Sequence, residues 1–247
     1  MNQHSDNQHS HNQHSDNQHR AQRRHPIAFL ALILGALLGV VLASGVSTAN
    51  AGQSAGGHAR PVAVAPRTAA QNAFHDQMRK LWEDHVTWTR LAIVTFADGS
   101  AGFGPSAGRL LQNQGDIGNA VKPFYGAAAG NQLTSLLNDH ITIAVEVMTA
   151  AKAGDTGAFN TASARWYANG NDIADFLAAA NPRSWPQDVM RADMKTHLDA
   201  TLAEAAHELH GEYAAGITDY EGIHAHILIM ADQLSDGIMT QFPSRFR

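Results

Sequence analysis

The stretch AAQNAFHDQMRKLWEDHVTWTRLAIVTF, residues 69–96, decides the fold class. Its side chains of low polarity recur at steps of four and three residues, the spacing that places them on one face of an α-helix in a bundle. The predicted face consists of Phe74, Met78, Leu81, His85, Trp88, Ala92 and Thr95. Since no stretch of the sequence alternates convincingly as a strand would, the sequence predicts an all-α protein.

Further helical segments come after it, each bounded by glycine, proline or a capping residue. A break is predicted after the first helix from the turn-forming residues Gly99, Gly102, Gly104, Pro105 and Gly108. Beyond it we expect a short element over 110–125 that Pro123 interrupts, then long helices over about 131–153, 156–181, 187–210 and 213–239.

Local signals support these boundaries. Asp155 or Thr156 is the predicted N-cap of one helix, and Pro186 suits the first turn of the next. Residues 69–243 are therefore predicted to form an up-and-down bundle of four to five long helices plus a short one, preceded by one N-terminal hydrophobic segment.

The N-terminal tail is a polar repeat. Residues 1–25 repeat units such as NQHSD and are rich in histidine, with almost no apolar residue to bury. We therefore expect this tail to be disordered. Two interpretations remain open for its histidines: they bind Zn, Ni or Cu through neutral imidazole, or they belong to a solvated tail produced by repeat expansion.

Residues 26–51 carry a targeting signal. Arginines precede the apolar run IAFLALILGALLGVVLASGV, residues 27–46, and this order directs the C-terminal domain to the outside of the membrane. Ala49 and Ala51 fit a signal-peptidase site, while the run is also long enough to span a bilayer. The domain is predicted to be extracytoplasmic, either secreted or anchored through 27–46 if cleavage does not occur, with 52–68 as a flexible linker.

Composition excludes several classes of function. The chain has no cysteine, so thiolate catalysis, zinc fingers and iron–sulfur clusters are ruled out. Its net charge is -5 at pH 7 and no basic stripe is visible, so nucleic acid is not expected as a partner. The sequence does not identify a protein partner.

Several strings resemble one family of bacterial helical-bundle proteins from actinobacteria and firmicutes, a family without an established activity. They are LWEDHVTWTRLAI (81–93), RLLQNQGDIGNAVKPFYG (109–126), LLNDHITIA (136–144), AAKAGD (150–155), RWYANGNDIADFLAAANP (165–182) and MADQLSDGI (230–238). Members sometimes carry the labels glycosyltransferase or acetylglutamate kinase. The chain has neither a glycine-rich phosphate loop nor an Asp-x-Asp signature in a strand context, so these residues do not support either label.

The resemblance also singles out a set of polar positions. It implies that seven residues match the family pattern: His85, His140, Asn169, Asp172, His197, Thr201 and Glu204. His224 departs from that pattern, since relatives have a glutamate there. Both residue types ligate metals.

Three histidines, His85, His140 and His197, each lie in the middle of an apolar stripe. Antiparallel neighbours that are equidistant from a turn lie side by side. Counting outward from the turns near residues 154 and 183 places Asn169 level with both His140 and His197. The uncertainty of each level along the helix axis is about 5 Å. We expect these residues and Asp172 to form one polar layer. His85 cannot be levelled, because the connection after its helix is long.

A second layer is predicted two turns away. Glu146 is level with Glu204, which faces His224 across the last hairpin. The pairs Glu204/His207 and Glu221/His224 have the Glu-x-x-His spacing of di-iron bundles, and Glu83 and Glu146 could complete such a site. The order of the helices does not match a ferritin-like site, which argues against di-iron.

These residues allow three interpretations. The leading one is an exported or anchored bundle that binds a transition metal (Zn, Cu or Fe) without catalysis. The predicted metal ligands are His85, His140, His197, Glu204 and His224, supported by Asn169, Asp172, Thr89, Thr201 and Glu146. The alternatives are a metal-dependent enzyme of undefined reaction, and a structural or partner-binding bundle whose histidines form a buried polar layer.

Overall fold

Helices succeed one another along the chain from Ala69 to the C-terminus. The computed structural model describes residues 66–247, so the repeat tail, the targeting segment and most of the linker lie outside the described residues. The elements are α1 (Ala69–Ala97), α2 (Phe103–Ala153), α3 (Thr156–Ala180), α4 (Gln187–His210), α5 (Tyr213–Gln241) and a short 3₁₀ helix (Pro243–Phe246). Within residues 66–247 every regular element is helical, which confirms the predicted fold class.

Each helix packs against its neighbour in sequence, and α5 returns to pack against α1. This order closes the bundle around one core. Fully buried residues from three helices, among them Ile117, Ile173 and Ile227, fill its centre. Over the described range no helix combines the length and apolar character that a bilayer span requires.

Side chains at the helix ends explain the boundaries. Thr68 and Gln71 form a capping box at the start of α1, in which the Thr68 hydroxyl accepts from the Gln71 N–H at 3.2 Å. Asp155 caps α3 by accepting from the Ala158 N–H at 2.9 Å, so of the two predicted caps the structure has Asp155 and not Thr156. The preceding Gly154 has φ 69°, a left-handed conformation that glycine adopts without strain.

Helix α2 differs from the prediction in two ways. It begins at Phe103, so Gly104, Pro105 and Gly108 are helical rather than part of a loop. Pro105 is tolerated because the first turn of a helix does not need its missing N–H. The helix then breaks at Gly126, with φ 86° and ψ 167°, and the short predicted element corresponds to the half before this break.

The stripes predicted from the sequence are only partly buried. On α5 the predicted Ile227, Ala231, Leu234 and Ile238 are buried, whereas Ile217 is 52% exposed. On α1 the buried side chains include Trp82 rather than the predicted Trp88. The periodicity of the sequence therefore predicted where each helix lies along the chain, but it predicted less accurately which of its residues are buried.

Candidate functional site

Three buried histidines from three helices line one cavity. His85 on α1, His140 on α2 and His197 on α4 are each 3–4% exposed. The cavity has a volume of about 10 Å³, which is close to the smallest that holds one water molecule. The other lining residues are all apolar: Trp82, Leu137, Ile173, Leu177, Met194, Ile227, Met230 and Leu234.

The predicted levels of these helices agree with the contacts between them. His140 Nδ1 lies 2.9 Å from Asn169 Oδ1, which confirms that these two residues are level. Tyr167 bonds to Asp199 across the next hairpin, and both residues are equidistant from position 183 as the prediction requires. The rings of His85 and His197 are 5.8 Å apart between centroids, so α1 brings its histidine to the same layer.

Burial keeps these three histidines neutral. Burial, and after it the charge that His140 would carry, together lower the pKa of His85 to about 3, although the hydrogen bond with Gln114 opposes the shift. Burial likewise lowers the pKa of His140 to about 4, although the hydrogen bond to Asn169 acts to raise it. The pKa of His197 is also lowered, first by burial and then by His85 and His140. Near pH 7 the layer therefore consists of uncharged imidazoles, the form that binds metals.

The hydrogen bonds of Asn169 fix the tautomer of His140. Asn169 Nδ2 donates to the Leu136 carbonyl at 3.1 Å, so its Oδ1 faces the ring. His140 Nδ1 must then donate to that oxygen, which leaves Nε2 with a free lone pair. Trp166 holds the same residue by stacking on its ring, with centroids 5.2 Å apart, and by donating to its carbonyl.

Gln114 fixes the opposite tautomer in His85, with the proton on Nε2 instead of Nδ1. Gln114 Nε2 donates to the Leu110 carbonyl at 2.8 Å and lies 3.2 Å from His85 Nδ1. Because the amide nitrogen faces the ring, His85 Nδ1 accepts and the proton of the neutral ring is on Nε2. Sequence reasoning missed Gln114. The signal that could have found it was its position on the apolar stripe of Leu110, Ile117 and Val121.

Two threonines predicted to support the histidines bond elsewhere. Thr89 donates to the carbonyl of His85 at 2.7 Å, and Thr201 donates to the carbonyl of His197 at 2.8 Å. Both hydroxyls bond within their own helix, four residues back, and not to the rings.

Among the described residues, the buried Nδ1 of His197 has no hydrogen-bond partner.

Glu204 belongs to a separate buried cluster. Arg90 Nη1 donates to its Oε1 at 3.0 Å and also donates to the Gly216 carbonyl at 3.2 Å. Arg90 Nη2 lies 2.8 Å from Glu208 Oε1, in an orientation that does not form a hydrogen bond. Burial raises the pKa of Glu204 to about 7 although Arg90 opposes the shift. The structure does not place this carboxylate with the histidines.

The remaining predicted site residues lie near the surface. His224 Nε2 is 3.1 Å from Glu83 Oε1, and Glu146 pairs with Arg165. Asp172 is exposed, so it is not part of the buried layer as predicted.

The proposed di-iron pairs are not assembled. His207 is paired with Asp219 on α5, while Glu204 is paired with Arg90. Over residues 66–247 no group of three or more histidine, aspartate or glutamate side chains is arranged so that it could hold a metal ion. The three histidines are therefore neighbours around one cavity and not a formed coordination sphere.

The fold and the site together define an all-helical protein with a buried layer of three neutral histidines. Comparison of the chain with protein-family models, with curated proteins and with solved structures found no match.

Proposed function

We propose that the protein binds one transition-metal ion, zinc or copper, between His85, His140 and His197, without catalysing a reaction. The observation that carries this proposal is the position of three neutral imidazoles around one small buried cavity. Neutral imidazole is a ligand that suits both metals.

The separation of two rings supports a shared ion. A zinc–nitrogen bond of about 2.0–2.1 Å puts a ring centroid about 3.2 Å from the ion, so two rings at a tetrahedral angle have centroids about 5.2 Å apart. The centroids of His85 and His197 are 5.8 Å apart. Binding then requires the rings to turn until their nitrogens point at one ion.

The surroundings favour binding over catalysis. A catalytic metal keeps an open coordination position that substrate can reach. Here the rest of the lining is apolar and bulky, including Trp82 and Met194, which supports a closed site. Iron fits less well, because non-haem iron sites add a carboxylate and Glu204 is paired with Arg90.

In this proposal the bundle acts outside the cytoplasm, secreted or anchored through residues 27–46. The support for this location is the sequence alone: an apolar run preceded by arginines.

A second candidate is a buried polar layer that fixes the register of the helices. Gln114 favours it, because the proton on His85 Nε2 makes that nitrogen a donor rather than a ligand. In this alternative the histidines hold no ion, and removing one lowers stability alone.

Metal analysis of the full-length chain separates these candidates. The histidines of the 1–25 tail are replaced with asparagine, so that any bound metal belongs to the bundle. We expect one equivalent of zinc or copper in this protein and in its His224→Ala variant, whose histidine lies near the surface, but none in His140→Ala. A metal-free parent protein, with His140→Ala merely less stable, would leave the polar layer as the function of these residues.

A further inference from the structure

The amide of Gln114 contacts the candidate metal site from the first half of α2. Its Nε2 donates to Leu110 at 2.8 Å and lies 3.2 Å from His85 Nδ1. Among residues 66–247 its buried Oε1 has no hydrogen-bond partner. Turning the amide over would exchange the position of this unpaired acceptor with that of the nitrogen that faces His85 and Leu110.

The present orientation opposes metal binding at His85. A histidine that ligates through Nε2 carries its proton on Nδ1 and donates it to an acceptor. His140 already has this arrangement, with Asn169 Oδ1 as the acceptor. His85 has a donor at that position, so its proton is on Nε2.

We propose that Gln114 is a positioning residue whose amide orientation decides whether His85 accepts a metal ion. This inference rests on the proposed metal-binding function. Rotation of the amide by half a turn presents Oε1 to His85 Nδ1–H and moves the lone pair to Nε2. The rotation also breaks the bond from Gln114 Nε2 to the Leu110 carbonyl and brings Oε1 close to that carbonyl oxygen. It therefore requires that the new bond from His85 Nδ1–H and the bound ion offset this loss.

The change Gln114→Glu tests this role, since a carboxylate is an acceptor in place of the amide donor. The full-length chain with its tail histidines replaced is titrated with Zn²⁺ against a chelator of known affinity. We expect Gln114→Glu to bind Zn²⁺ about tenfold more tightly than the parent, as changes to a ligand's hydrogen-bond partner do. Gln112→Glu is the matched control, because Gln112 is exposed on the same helix; its affinity should equal that of the parent.

A second readout does not depend on metal. In the metal-free protein, ¹⁵N NMR of the imidazole rings should show His85 protonated on Nε2 in the parent and on Nδ1 in Gln114→Glu. If the proton does not move, the inference is wrong. If it moves while neither protein binds zinc, the control of the tautomer stands and the metal function fails.

Gln114→Met covers the case in which a buried carboxylate prevents folding. This side chain has similar length and no donor, so His85 should lose its preference for Nε2–H and zinc affinity should not fall. A role in folding alone predicts the opposite: His85 stays protonated on Nε2, and affinity falls together with stability.

Discussion

His140 donates from Nδ1 to Oδ1 of Asn169 at 2.9 Å, and this bond sets both the register of α2 against α3 and the tautomer of the ring. Asn169 is held in turn by its bond to the carbonyl of Leu136, which lies one helical turn before His140 on α2. The same contact thus connects the packing of two helices to the chemistry of the cavity.

Replacing Asn169 should therefore affect stability and zinc affinity together. Asn169→Leu leaves His140 Nδ1–H buried without an acceptor, which should cost about 1–3 kcal/mol of the free energy of unfolding. Zinc affinity should fall about 10–100-fold, while Asn169→Asp, which keeps an acceptor, should retain it. Urea denaturation and chelator competition measure the two effects. An Asn169→Leu variant with unchanged affinity would argue against the site.

The histidine layer should make the protein sensitive to acid. The pKa values of His85 and His140 are lowered from 6.5 to about 3 and about 4, so the unfolded chain binds protons more readily than the folded one below pH 6.5. The free energy of unfolding should fall as pH drops from 6.5 to about 4, by about 1.4 kcal/mol per unit for each histidine. Denaturation at several pH values in a chelator measures this slope, which should be shallower in His85→Leu.

Glu204 should act in the opposite direction. Its pKa is raised from 4.5 to about 7 in the folded protein, so the folded state holds the proton more tightly in this interval. Its contribution to stability should decrease as pH rises from 4.5 to 7 and stay constant above that. The stability of Glu204→Gln relative to the parent should therefore increase with pH over this interval. A difference independent of pH would show that the folded pKa of Glu204 is not raised.

Two glycines of α5 should respond oppositely to the same substitution. A Cβ at Gly237 would overlap the indole nitrogen of Trp185, so Gly237→Ala should destabilise the protein by about 1–3 kcal/mol. Nothing lies within 4 Å of a Cβ at Gly222, and Gly222→Ala should stabilise the helix by about 0.5–1 kcal/mol. Thermal unfolding of both variants compares them directly, and a stable Gly237→Ala would place Trp185 elsewhere.

Local signals explain how much of the fold the sequence predicts. Asp155 caps α3, and Pro186 directly precedes α4, so those boundaries depend on short-range chemistry. The start of α2 could not be predicted in the same way. Gly104 and Pro105 are typical of a loop, and only packing of the residues after them shows that a helix begins at Phe103.

The site was predictable where the connections are short. The tight turn at Gly154 let the level of His140 and Asn169 be counted from the sequence. No such count reached Gln114, because the sequence predicts a loop where α2 begins at Phe103. Glu204 lies two turns beyond His197 on α4, and its pairing with Arg90 depends on how α1 packs. Residue type identified a candidate ligand there, but tertiary contacts determine its partner.

X-ray absorption spectroscopy of the zinc-loaded, full-length protein without tail histidines tests the central claim most directly. We predict three imidazole nitrogens at about 2.0–2.1 Å from the ion, with one lost in each of the variants His85→Ala, His140→Ala and His197→Ala. A spectrum dominated by oxygen ligands, or one that these three substitutions leave unchanged, would contradict metal binding by the buried histidines.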